Sequence, residues 1–322
     1  MAAPNISEIA THVIANRTRK LADNVTDNNA LLFRLRERGR KRTVDGGESI
    51  YQELEYQENT NFLWYSGTQP LNVGATEHAS SADFAWKQAA VAVVISGLEE
   101  LQVAGRSRQI DLLDSRIGNA EKTMMNQIAA GCYADGTGTG GKEIGGLQYL
   151  VADAPTSGTV GGINRATWSF WQNQLVDFSV ESLTPGSTTI QTAMNRLYLE
   201  TSRGRDKVDL IVADNTYWRY YLESLQTNQR FTNTAMAEAG FDNLKYMGAD
   251  VVFDGGNGGA CPANHMYFLN TDYLFYRPHA SRDMVMLSPE RHAVNQDAFV
   301  RIIGWAGNMT MSNAFLQGVL IA

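Results

Sequence analysis

Two cysteines in 322 residues, Cys132 and Cys261, cannot build a disulfide framework, so nothing in the chain points to an oxidising compartment. No apolar run approaches the roughly 20 residues that a membrane helix requires, and the mean hydropathy is −0.28. The first residues, Met1-Ala2-Ala3-Pro4-Asn5, lead into polar sequence without an apolar signal segment. Charged residues make up only 19%, against 43% hydrophobic, which is too little charge for a disordered chain and enough apolar mass for a large core. These absences argue against a membrane protein, a small stapled secreted protein and a disordered tail. The least ordinary absence is local. Between Thr43 and Trp86 there is no lysine or arginine, while Asp45, Glu48, Glu53, Glu55, Glu58, Glu77 and Asp83 all fall there.

The net charge of −7 is therefore unevenly placed. Residues 1–42 carry nine cations against four acids, and six of those cations crowd into Arg34, Arg36, Arg38, Arg40, Lys41 and Arg42. A helix end attracts a cation or two through its dipole. Six exceed that need, and point to contact with a phosphate backbone or with an acidic partner surface. An acidic total argues against tight, sequence-specific nucleic-acid recognition and permits a weak local contact.

Hydrophobic spacing sets the organisation. Ile6, Ile9, Ala10, Val13, Ile14 and Leu21 recur at helical steps over residues 5–22, and 30–35 could continue that helix until Gly39 ends it. Residues 48–57 change to period two, with Ile50, Gln52, Leu54 and Tyr56 on one face. Phe62–Tyr65 reads as a second short strand, 71–80 as a loop, and 83–95 as β-rich. The excursion 43–90 has too few apolar residues to fold alone and needs a surface to lie on. Ile110, Leu113, Ile117, Ala120, Met124, Ile128 and Cys132 then mark a helix over 106–133, about 40 Å long. Further on, 166–171 reads as strand, and a helix begins at Thr188 with Gln191 completing a capping box. A βα unit spans 207–226, with Trp218, Tyr221, Leu222 and Leu225 on the helix face. Strands follow at 244–253, at 266–269 and 273–276 across Asn270-Thr271-Asp272, and at 299–310 and 315–321.

Chemical motifs are few. Gly136-Thr137-Gly138-Thr139-Gly140-Gly141-Lys142 matches phosphate-loop expressions, but it follows a helix and precedes no helix, and Glu143 stands where a hydroxyl would bind magnesium. The histidines at 12, 78, 265, 279 and 292 form no metal-ligand pair. There is no G-x-S-x-G elbow, and Glu99-Glu100 point in different directions on either kind of element. The expectation is no catalytic residue, no metal, no cofactor and no enzyme activity.

The order of these features resembles the major capsid proteins of tailed bacteriophages, the fold named after phage Hong Kong ninety-seven. Ile144-Gly145-Gly146-Leu147, Ile163-Asn164-Arg165-Ala166-Thr167-Trp168 and Asp209-Leu210-Ile211-Val212 before Asn215-Thr216-Tyr217-Trp218 are wording typical of that family. The resemblance implies an α+β fold. It would have an N-terminal arm (1–42), an extended β loop or E-loop (43–90) and a P domain (91–185) holding the spine helix 106–133. An A domain (186–295) and returning P-domain strands (296–322) would complete it. It also implies a subunit that self-assembles into hexamers and pentamers of an icosahedral head enclosing double-stranded DNA, placed in the virion and assembled in the host cytoplasm. Its partners would be copies of itself, a separate scaffolding protein, a portal, decoration proteins and packaged DNA through non-specific contact, with no membrane. Forty-two residues leave no room for a scaffolding segment, and a loop without lysine gives no Lys–Asn cross-link. The acidic loop is expected to lie over a basic surface of the next subunit, with the 34–42 run as the leading candidate. An encapsulin-like shell around protein cargo is the first alternative; an α/β enzyme using the 207–226 unit is the second.

Overall fold

The computed structural model describes residues 29–96, 106–225, 243–255, 259–292 and 298–322; the helix expected over 5–22 lies outside them. In chain order the main elements begin with α1 (Ala30–Glu37), β1 (Ile50–Glu55), β2 (Ala79–Phe84), β3 (Lys87–Ser96) and α2 (Arg106–Gly131). Next come β4 (Thr159–Val160), β5 (Ile163–Asn164), β6 (Gln174–Asp177), α3 (Ile190–Glu200), β7 (Leu210–Ala213) and α4 (Asn215–Ser224). The last are β8 (Asn243–Tyr246), β9 (Ala249–Phe253), β10 (His265–Leu269), β11 (Leu274–Pro278), β12 (Val285–His292), β13 (Ala298–Met311) and β14 (Gly318–Ile321).

Two sheets carry the fold. The larger has the order β6-β14-β10-β7-β9-β8, with β6–β14 and β7–β9 parallel and the rest antiparallel. It is buried on both faces, and strand alternation divides its side chains. Ile211, Ala213, Met266, Phe268 and Leu320 pack with α3 and α4, while Leu210, Val212, Tyr267, Leu269 and Val319 join the core that also holds α1. In the second sheet β13 has β3 along one edge and β12 and then β11 along the other. Residues 41–44 extend it as a further edge, with Lys41 bridged to Tyr276 and Val44 to His279.

The helix α2, about 39 Å long at 1.5 Å per residue, turns Ile117, Ala120, Met124 and Ile128 inward, with Cys132 just beyond its end, as their spacing requires. Its end explains the Ile144-Gly145-Gly146-Leu147 motif. Gly146 N–H donates to the Ala134 carbonyl (3.0 Å) and Leu147 N–H to that of Cys132 (2.8 Å). A Cβ on Gly146 would sit 2.4 Å from Cys132 backbone, so only glycine permits this approach.

Five expectations need correction. Phe62–Tyr65 is irregular and is not a strand; the partner of β1 is β2, which takes residues 79 and 80 out of the expected loop. Among the described residues no strand pairs with 62–65, so no ladder forms there. Residues 166–171 form a turn and a 3-10 helix (Ser169–Trp171), because Trp171 is drawn inward to donate its indole N–H to the Val160 carbonyl (2.9 Å). The helix expected from Thr188 starts at Ile190 without a capping box. Thr189 spends its hydroxyl on the Thr184 carbonyl (2.6 Å), and the Gln191 amide donates to Ser224 (3.1 Å). On α4 the buried pair is Tyr217 and Tyr221, while Trp218, Leu222 and Leu225 are only partly covered. Finally, β10 and β11 are no hairpin. The 3-10 turn Thr271–Tyr273 sends them into different sheets, held by Asp209, which accepts from the Thr271 N–H (2.7 Å) and hydroxyl (2.6 Å).

The same switch affects chain organisation. β11 and β12, inside 186–295, lie in the second sheet with β3 and β13, whereas β14 returns to the larger sheet beside β6. The segment boundary at 296 therefore coincides with no boundary between sheets.

Candidate functional site

The hairpin β1–β2 is built by alternation. Ile50, Gln52, Leu54, Ala82 and Phe84 face inward, and Tyr51, Glu53, Glu55, Ser81 and Asp83 face out. Its root docks on its own chain. Asp83 N–H donates to the Gly161 carbonyl (2.9 Å), Gln52 Oε1 accepts from Arg277 (2.6 Å) and Thr310 (3.3 Å), and Tyr56 stacks on Phe170 with ring centroids 5.3 Å apart. The surface that 43–90 needs is thus first supplied by the molecule itself. Beyond the root the loop 57–78 stands away from the core. Trp64 and Val73 are each 89% exposed and Phe62 73%, with Tyr65 and Leu71 also open. All seven acids, Asp45, Glu48, Glu53, Glu55, Glu58, Glu77 and Asp83, are exposed, and among the described residues none is in an ion pair.

The basic run is disposed differently. Asn29 caps α1 by accepting from Leu31 and Leu32 N–H (2.9 and 3.2 Å), and Gly39 at φ +66° ends it. Eight residues are too few for an independent helix, and Leu31, Leu32 and Leu35 are fully buried. Arg34 enters the core with them. Its guanidinium meets Glu37 (2.7 Å), Asp209 (3.2 Å) and Asp250 (3.5 Å). Burial opposes that charge, but the three carboxylates overcome it and hold Arg34 above its ordinary range. Arg38 also reaches Asp209 (3.6 Å), Arg40 pairs with Asp272 (2.8 Å) and Lys41 with Asp283 (2.9 Å). Arg36 lies over the Phe33 ring at 5.7 Å. Arg42 is exposed over the Phe275 ring at 5.3 Å, and among the described residues no carboxylate pairs with it.

Four of the six expected cations are thus bound to acids of their own chain. Sequence reasoning missed Arg277, which lies over the same Phe275 ring as Arg40 and Arg42, and it missed that Phe62, Trp64 and Val73 stand open. A hydrophobic stretch flanked on both sides by polar loop, with Pro70 nearby, was the available signal for the second.

Catalytic chemistry finds little support. Asp214 is spent as the α4 cap, accepting from Tyr217 N–H (2.9 Å) and Asn264 N–H (2.8 Å). Burial pushes the Cys132 thiol up to about 12, and raises Cys261 as well, so neither is a ready thiolate. Gly138–Gly141 forms one distorted turn with Thr139 and Gly140 left-handed, and Thr139 donates to Glu143 (2.8 Å), so a carboxylate already lies against the loop. Among the described residues no group of three His, Cys, Asp or Glu side chains could hold a metal, and no helix is long and apolar enough to cross a membrane.

The arrangement as a whole is similar to solved capsid structures. The capsid asymmetric unit of cyanophage A-1(L) matches with a TM-score of 0.63 at 15% identity, covering 87% of this chain and 89% of that one. The chain has the tailed-phage capsid fold. The capsid of a native GTA particle matches at a TM-score of 0.57 and 12% identity, with 88% of each chain covered. The capsid of Myoviridae phage XM1 matches at 0.51 and 11%, covering 89% and 91%. No protein-family model matches the sequence, and no curated protein does. Within this Hong Kong ninety-seven type fold, α2 lies where the spine helix is expected, β1–β2 fall within the expected E-loop 43–90, and α1 falls within the expected arm.

Proposed function

We propose that the chain is the structural subunit of a tailed-phage head. Copies assemble non-covalently into hexamers and pentamers of an icosahedral shell that encloses double-stranded DNA. The observation that carries this reading is the E-loop. It projects five large apolar side chains into solvent, with seven acids that have no ion pair among the described residues, surfaces that a stable monomer of this size rarely leaves uncovered. A shell of identical subunits covers such an arm with the next copy, and many weak contacts add through repetition. A separate scaffolding protein, a portal and decoration proteins complete the assembly, which forms in the host cytoplasm and ends in the virion. At the head of the 207–226 unit Asp214 is spent as the α4 cap, which favours a structural role over the α/β-enzyme reading. Size-exclusion chromatography of the full chain tests the class. A shell subunit elutes as megadalton particles or as capsomers that convert to them, and a small oligomer under all assembly conditions contradicts the proposal.

A further inference from the structure

Around Phe275 the chain gathers three arginines. The guanidinium carbons of Arg40, Arg42 and Arg277 lie 5.6, 5.3 and 5.1 Å from the centre of its ring, which is itself buried. The backbone explains the gathering. Residues 40–44 run as an edge strand beside β11, with Arg42 N–H donating to the Tyr276 carbonyl (3.0 Å) and Tyr276 N–H to that of Arg40 (3.1 Å). Alternation then places Arg40 and Arg42 on the face that carries Phe275 and Arg277, and turns Lys41 to the opposite face, where it meets Asp283.

Charge in this cluster does not balance. Arg40 has Asp272. Arg42 and Arg277 have no carboxylate among the described residues, and the only side-chain acceptor of Arg277 is the neutral amide oxygen of Gln52. The Nε of Arg277 and of Arg40 are buried without a hydrogen-bond partner. Burial, and then the neighbouring Arg42 charge, pull Arg277 below its ordinary range. Three cations on one ring with one carboxylate form a site for an oxyanion.

The hairpin states which oxyanion. It turns Gln52 down onto Arg277, and the same alternation turns Glu53 and Glu55 away on the outer face, with Asp83 opposite Tyr51 on that face too. These acids lie beside one another and have no cation among the described residues. They cannot reach the arginines beneath their own hairpin without reversing the strand. Both halves of a complementary contact therefore exist on every copy, and each half is turned away from the other within a copy. That is the condition for a head-to-tail contact between copies, which closes into rings.

We infer that Arg42 and Arg277, set over Phe275, receive the carboxylates of Glu53, Glu55 and Asp83 from the E-loop of a second copy. The inference rests on the shell-subunit reading and names the receiving site within it. It also relocates the contact from the run 34–42 as a whole to its last member and a β11 arginine.

The test is charge reversal with reciprocal rescue, read by electron microscopy and size exclusion under conditions where the unaltered chain forms shells. Arg42→Glu with Arg277→Glu should abolish particles while leaving a folded capsomer precursor, and so should Glu53→Arg with Glu55→Arg and Asp83→Arg. Because Arg277 is half-buried, Arg42→Glu alone, at an exposed position, is the control for misfolding and should weaken assembly. Combining all the reversals in one chain should restore particles. Normal shells from either reversed chain, or no rescue in the folded chain that carries all the reversals, overturns the inference. So does a reversal that leaves shells intact and lowers only their DNA content, which would assign the arginines to phosphate. If the unaltered chain forms no shells at all, the shell-subunit reading fails first, and the two failures are distinguishable.

Discussion

Position 34 holds a cation whose side chain is 10% exposed and which faces Glu37, Asp209 and Asp250. Removing one member of a buried charge group leaves the others unpaired in low dielectric, which costs about 3–5 kcal/mol. Arg34→Ala should therefore lower the denaturation midpoint markedly. Arg203→Ala, which breaks an exposed pair with Asp206, should cost about 0–1 kcal/mol. Equal effects in a denaturant titration would contradict the assignment of Arg34 to the core. The sequence displays Arg34, Arg36, Arg38 and Arg40 as alike, since nothing local separates them. Their sorting depends on Asp209, 175 positions away, and on Asp250 and Asp272, contacts that exist only after the sheets form. For the same reason, reversing Arg36, Arg38 and Arg40 together would disturb pairs inside the subunit as well as any contact between subunits.

Elements were legible where their period is long and unopposed. The α2 face, from Ile117 to Cys132, and the β1 face, Ile50, Gln52 and Leu54, follow directly from spacing. What spacing could not reveal is which sheet a strand joins. β10 and β11 read as neighbours across three residues, yet Asp209 fixes the turn that parts them. A second long-range junction is Asp254, just after β9. Its carboxylate accepts from Asn29 at the α1 cap (3.1 Å) and from the Tyr133 hydroxyl beyond α2, so α1, the end of α2 and the larger sheet meet on one side chain. Burial raises its pKa above the ordinary 3.8, partly offset by the donors Tyr133, Ala260 and Asn29. A carboxyl with a raised folded-state pKa binds its proton more tightly folded than unfolded. Stability from this group therefore falls as pH rises from 3.8 through the raised value and is constant above it. Relative to Asp254→Asn, the wild-type chain should lose thermal midpoint as pH rises through that window. A difference independent of pH, or one of opposite slope, would contradict the account.

At the scale of the molecule, the fold and the charge pattern have one explanation in common. The body pairs Arg34, Arg38, Arg40 and Lys41 with acids of its own, while the loop 43–86 keeps its seven acids and its aromatic tip in solvent. On the proposed shell-subunit reading, that division separates what holds a subunit together from what remains for assembly. The uneven charge was visible in the sequence from the absence of cations over 43–86. The receiving surface was not, because Arg277 joins Arg42 only through the pairing of residues 40–44 with β11. The account as a whole rests on the chain forming a closed shell, and negative-stain electron microscopy of the purified, full-length protein addresses that claim most directly. It predicts hollow or filled particles with icosahedral outlines, built of hexamers and pentamers. Fields of small discrete oligomers, with no closed particles under any assembly condition, would contradict it.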